Sequence, residues 1–94
     1  MMLEKDIEAK ARKLAIADGW ECYKFSSPGR RSVPDRLFIK EGRVVFIEFK
    51  RPGGRLTSGQ EREIARLRAK GAEVHVCYSV EEAMDALHAR GVNR

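Results

Sequence analysis

The chain has only two cysteines, Cys22 and Cys77, set far apart and in no C-x-x-C pair, and its two histidines are equally dispersed. This leaves no zinc framework to propose, and a reducing compartment fits best. Long apolar runs are missing too, none approaching the roughly 18 residues of a membrane-spanning helix. The start Met1-Met2-Leu3-Glu4-Lys5-Asp6 lacks the apolar stretch of a secretion signal, so the protein is expected to stay in the cytoplasm and off membranes. Repeats and low-complexity segments are absent.

What is present is basic charge and material for one modest core. Ninety-four residues with 43% hydrophobic content predict one compact domain spanning 1–94, with no room for a second. The 19 Lys and Arg against 14 Asp and Glu leave a formal charge of +5, which favours a polyanionic partner such as nucleic acid.

Periodicity sets the order of elements. Residues 3–18 read as an amphipathic helix, with Leu3, Ile7, Ala11, Leu14 and Ala15 on one face, Lys5, Arg12 and Lys13 pointing away, and Gly19 ending it. Trp20 to Phe25 reads as a strand, and Ser26-Ser27-Pro28-Gly29-Arg30-Arg31-Ser32 as a basic loop. Two apolar runs, 34–40 and 43–50, are separated only by Glu41-Gly42, the spacing of a tight hairpin. After the loop Arg51-Pro52-Gly53-Gly54-Arg55, Thr57 begins a helix with Ile64, Ala65 and Leu67 at helical spacing, closed by Gly71. A short strand, 73–78, follows. Ser79 with Glu82 forms a capping-box signature for a last helix ending at Gly91. The alternation of His75 with Val74 and Val76 predicts a half-buried strand histidine, and Trp20, Tyr23 and Phe25 read as core.

The hairpin brings chemistry together. If Lys40 pairs with Arg43 across a two-residue turn, the antiparallel register places Asp35 opposite Glu48. A four-residue loop preserves that pairing, whereas a three-residue loop shifts it by one and separates the acids. Opposed residues have Cβ atoms roughly 4.5–5.5 Å apart, so two carboxylates there repel unless a cation lies between them. Mg²⁺ suits one or two protein carboxylates, with water and phosphate oxygens completing its octahedron. Lys50, two residues after Glu48, falls on the same strand face and can neutralise phosphate charge or orient water. Ordinary surface acids would also satisfy E-x-K, but these end a strand that is almost continuously apolar, a costly place for charge without function.

Pro34-Asp35, twelve intervening residues and then Glu48-Phe49-Lys50 has the form of the PD-(D/E)XK nuclease signature. With Lys24-Phe25-Ser26-Ser27-Pro28-Gly29-Arg30, Val33-Pro34-Asp35-Arg36, Pro52-Gly53-Gly54-Arg55-Leu56 and Gln60 around it, the chain resembles a stand-alone VRR-NUC domain, as found in viruses and bacteria. The resemblance implies an α/β, restriction-endonuclease-like core: a mixed β-sheet flanked by helices, here in the order α-β-β-β-α-β-α. It also implies Mg²⁺- or Mn²⁺-dependent phosphodiester cleavage, with Asp35, Glu48 and the Phe49 carbonyl as metal ligands and Lys50 as the catalytic lysine. A helix glutamate in an E-x-x-I setting is a further ligand. Glu4 matches it through Ile7, and Glu8 is the rival: at about 100° per residue they lie roughly 60° and 100° from Ile7, which slightly favours Glu4. Gln60 matches a glutamine that orients a catalytic water or contacts DNA, although Thr57-Ser58-Gly59-Gln60 is equally a capping box.

DNA contact falls to Lys24, Ser27, Arg30, Arg31, Arg51 and Arg55, on or beside the loops flanking the site and suited to holding phosphates without reading sequence. The expected activity is endonucleolytic hydrolysis of DNA in a bacterial or host cytoplasm. Small resolvases of the superfamily act as homodimers because a four-way junction needs two symmetric nicks, so a dimeric Holliday-junction-cleaving enzyme is the leading expectation. A flap or nicking endonuclease is the alternative, and a catalytically silent DNA-binding module is the answer from another class.

Overall fold

The computed structural model describes residues 2–89. The order is α1 (Glu4–Ala17), β1 (Glu21–Lys24), β2 (Arg36–Lys40), β3 (Arg43–Phe49), α2 (Ser58–Ala69), β4 (Glu73–Cys77) and α3 (Val80–His88). The strands form one mixed sheet in the order β1-β2-β3-β4, antiparallel except for the parallel β3–β4 pair. This is the α-β-β-β-α-β-α architecture that periodicity predicts. The predicted end of the last helix at Gly91 lies outside the described residues.

The β2–β3 turn has two residues. Lys40 faces Arg43, and both Glu41 (φ 51°) and Gly42 (φ 80°) adopt left-handed backbone, as a type I′ turn requires. Its twist matches the strands, and the pairing then runs without slippage to Arg36 opposite Ile47.

Strand alternation divides the sheet into two faces. Phe38, Val45, Ile47, Phe49 and Cys77 point to one side, where Ile7, Ala11 and Ala15 of α1 and Val80, Ala83 and Leu87 of α3 complete the core. Phe46, Glu48 and Val74 point to the other side, where α2 buries Ile64. Phe25 packs on Phe46 there, with ring centroids 5.2 Å apart.

Several expected burials do not occur. Leu3 and Leu14 are 48% and 42% exposed, because α1 meets the sheet along the narrow stripe Ile7–Ala11–Ala15 and its flanks stay in solvent. Tyr23 is 52% exposed on the edge strand β1, so it is not core, whereas Trp20 is. Ala65 is exposed, because α2 turns Glu63 and Ile64 inward instead. Among the described residues, no helix is long and apolar enough to cross a membrane.

Candidate functional site

The site forms where the β2–β3 ladder ends. Just before β2, the Asp35 carbonyl accepts from the Phe25 N–H, fixing the chain there at 3.0 Å. Its carboxylate Oδ2 accepts from the Phe49 N–H at 2.8 Å, so the acid is drawn to the end of β3 beside Glu48. Glu48 is only 2% exposed, on the face covered by α2. The Lys50 N–H donates to the Cys77 carbonyl at 3.0 Å, continuing the parallel ladder and setting the lysine on the Glu48 face. Lys50 Nζ lies 3.9 Å from Glu48 Oε2.

Gln60 adds the fourth polar group. Its Oε1 accepts from the Thr57 N–H at 2.9 Å and its own N–H donates to Thr57 Oγ1 at 3.1 Å, which is the capping box. Its Nε2 donates to Glu48 Oε2 at 3.0 Å. The backbone N–H of Thr57 can only donate, so the amide oxygen must face it and the NH₂ must face Glu48. Capping and contact with Glu48 are therefore two ends of one side chain, so the capping box does not keep Gln60 from the paired acids.

The electrostatics of this cluster are unbalanced. Burial, and then the neighbouring Asp35, push the Glu48 carboxyl up to about 8, with Lys50 opposing the shift. Burial also raises Asp35, against the stabilising Phe49 hydrogen bond. The α1 acids Glu4 and Glu8 raise both groups further. A site that strains to keep two carboxylates ionised, with hard oxygen donors and one lysine, fits a divalent cation. Among the described residues no three of Asp, Glu, His and Cys form a metal-holding group, so Glu4 is not brought into a three-ligand cluster with the pair.

Glu4 and Glu8 differ in what they touch. Glu8 Oε2 accepts from Arg36 Nε at 2.6 Å and lies 3.9 Å from Lys24 Nζ, so its charge is spent. Among the described residues Glu4 makes no hydrogen bond or ion pair, which leaves it the available one of the two. The periodicity of α1 could not reveal this, because Arg36 arrives from β2.

Of the basic residues singled out, Lys24, Arg31, Arg51 and Arg55 are exposed and Ser27 is half-buried. Arg30 is exposed but donates to Glu63 Oε1 at 3.3 Å. Sequence reasoning missed the α2 residues next to it. Arg62, Glu63 and Arg66 line one cleft with Arg30, Arg31, Ser32 and Gly59, and the readable signal was the four-residue spacing of Arg62 and Arg66 on one helix face.

This fold, with its P-D and E-x-K residues placed on adjacent strand ends, defines the class: an α/β nuclease core of the PD-(D/E)XK kind. A family model described as the VRR-NUC domain matches residues 7–81. The chain is 47% identical over 75 residues to a protein named "Putative nuclease p44" from Acyrthosiphon pisum secondary endosymbiont phage 1, covering 79% of this chain and 76% of that protein. A solved structure described as "VRR_NUC domain" superposes with a TM-score of 0.82 at 29% identity, covering 93% of this chain and 97% of the other. The chain belongs to the VRR-NUC family of nucleases. The matched range begins at Ile7 and so includes Glu8 but not Glu4.

Proposed function

We propose that the protein is a divalent-metal-dependent endodeoxyribonuclease that hydrolyses phosphodiester bonds in branched DNA, acting as a homodimer on four-way junctions. The observation that carries the chemistry is the convergence of Asp35, Glu48, Lys50 and Gln60 at one end of the β2–β3 pair. Asp35, Glu48 and the Phe49 carbonyl would hold Mg²⁺ or Mn²⁺, with Glu4 within electrostatic reach. Bound there, the ion supplies Lewis acidity and a water of lowered pKa.

The protein's own groups do the rest. The Lys50 ammonium, its side chain only 12% exposed, is held against Glu48 and meets the charge that builds on the phosphoryl oxygens as water adds in line. Gln60 fixes one oxygen of Glu48 and so the direction in which the other points. Lys24, Ser27, Arg30, Arg31, Arg51 and Arg55 hold the backbone phosphates on either side. The preference for four-way junctions rests on symmetry: two sites related by a two-fold axis make paired nicks.

The test is cleavage of labelled four-way, flap, nicked and linear duplex DNA with Mg²⁺, Mn²⁺ or EDTA, for the wild type, Lys50→Ala and Asp35→Asn. Metal-dependent cutting lost in both variants is expected. Binding without any metal-dependent cutting would overturn the enzyme reading, and a preference for flaps or nicks would replace the junction assignment. Sedimentation at several concentrations checks the dimer, and a strictly monomeric protein making paired nicks sinks the symmetry argument.

A further inference from the structure

The cleft beside α2 is built, not merely charged. It is an open cleft of about 310 Å³ between the 30–32 loop and α2, and four arginines, Arg30, Arg31, Arg62 and Arg66, line it. Like charges converge there at a cost unless an anion joins them. Only one acid is present, Glu63, 5% exposed, and its Oε1 accepts from both Arg30 (3.3 Å) and Arg66 (2.8 Å). Among the described residues Arg31 and Arg62 make no hydrogen bond or ion pair. Each guanidinium carries five N–H donors, so even the two held by Glu63 keep donors to spare.

The loop is pinned in place. Ser32 sits at φ 67°, a left-handed backbone that a non-glycine residue adopts only where its surroundings hold it. Its hydroxyl lies so close to Gly59 that a Cβ added there would stand 2.9 Å from Ser32 Oγ. Glycine in the first turn of α2 lets the loop seat directly on the helix, and Glu63 ties Arg30 from the same loop to that helix. These contacts order the loop, Arg30 and Arg66 before any ligand arrives, which lowers the entropic cost of binding.

We propose that this cleft binds an internal backbone phosphate of the DNA strand lying in the active site. The proposal rests on the nuclease reading for its substrate, while its geometry is independent of it. Gln60, which touches Glu48, belongs to the same helix turn as Gly59. Arg62 and Arg66 lie on the order of 3 and 9 Å further along the helix axis. At about 100° per residue they also lie roughly 200° and 240° round the helix from Gln60, so the phosphate held is one other than the scissile one. Arg62, Arg66 and Glu63 thereby join the binding surface, with Glu63 as a positioning residue.

The experiment is fluorescence anisotropy of four-way and linear duplex DNA, each prepared with 5′-hydroxyl and with 5′-phosphate ends, in EDTA and over a range of salt. Each neutralised phosphate contributes about 0.9 to the slope of log K against log salt, so the Arg31→Ala/Arg62→Ala pair, which gives up one phosphate, is expected to lower the slope by roughly 0.9. The charge-matched pair Arg12→Ala/Lys13→Ala, exposed on α1 across the sheet, is expected to change it far less. All four substituted residues are exposed, and thermal melts confirm folding. An unchanged slope for the cleft pair, or an equal fall for both pairs, overturns the proposal. A loss confined to DNA carrying 5′-phosphate ends overturns the assignment to an internal phosphate. If the cleft pair loses slope while the wild type cuts no DNA with either metal, the nuclease reading fails and the cleft stands. If the wild type cuts and the slope does not move, the cleft alone fails.

Discussion

A carboxyl buried beside another carboxyl is stable only if it keeps its proton or gains a cation. Glu48 is in that position, its folded value pushed up to about 8 from an ordinary 4.5. The folded state therefore holds the proton more tightly than the unfolded chain does. This contribution is fully present below the unfolded value and is lost as pH rises towards 8. In EDTA the thermal midpoint of the wild type should thus fall relative to Glu48→Gln between pH 5 and pH 8, and parallel curves would refute the burial argument. Gln60 offers a second test, since one amide serves two partners. Thr57→Ala removes only the hydroxyl that caps the Gln60 N–H and should cost about 1 kcal/mol with little change in cleavage. Gln60→Ala also removes the donor to Glu48, and cleavage should fall by about 10–100-fold, the scale of lost ligand-orienting contacts at metal sites. Equal effects on cleavage would reduce Gln60 to a cap.

At the scale of elements, the hairpin decides whether the site exists. Glu41 occupies the first left-handed position of the β2–β3 turn, where asparagine is better tolerated. Glu41→Asn should stabilise the protein by roughly 0.5–1 kcal/mol, and chemical denaturation that shows a loss would mean the turn is not of this type. This turn was legible in advance because Glu41-Gly42 stood between two apolar runs, and with it came the approach of Asp35 to Glu48. The order of all seven elements was legible for the same reason, periodicity broken by glycine and proline. The missed features depend on partners distant in sequence. Leu3 and Leu14 fit the helical pattern of α1, but the sheet reaches only Ile7, Ala11 and Ala15. Glu63 looks like a solvated acid in Glu61-Arg62-Glu63-Ile64 but is buried, with Arg30 reaching it from another element and Arg66 from its own helix. The choice between Glu4 and Glu8 turns on Arg36, which no reading of the helix alone includes.

Across the whole molecule, the two ends of the β2–β3 pair have separate tasks. At the turn end, Arg43 donates to both oxygens of Glu73 (3.1 and 2.6 Å) and to the carbonyls of Ala86, Leu87 and Ala89 (2.7, 2.7 and 2.9 Å). Its guanidinium also lies 5.7 Å from the centre of the Trp20 ring. One side chain thus joins β3 and β4, closes the C-terminal carbonyls of α3 and covers a core tryptophan. Arg43 also holds Glu73 below the ordinary carboxylate range. Removing it leaves the half-buried Glu73 carboxylate to His75 and takes the donor from three carbonyls, so Arg43→Ala should cost about 2–4 kcal/mol. Arg43→Lys should recover only part, since an ammonium cannot reproduce the fork. Five residues of strand, roughly 17 Å, separate this knot from Glu48. Perturbations at that distance are close to independent, so cleavage per folded molecule, measured well below the transition, should stay within about twofold of wild type. Calorimetry alongside initial rates decides the matter: a rate that falls in step with stability would show that the knot at one end holds the geometry of the site at the other.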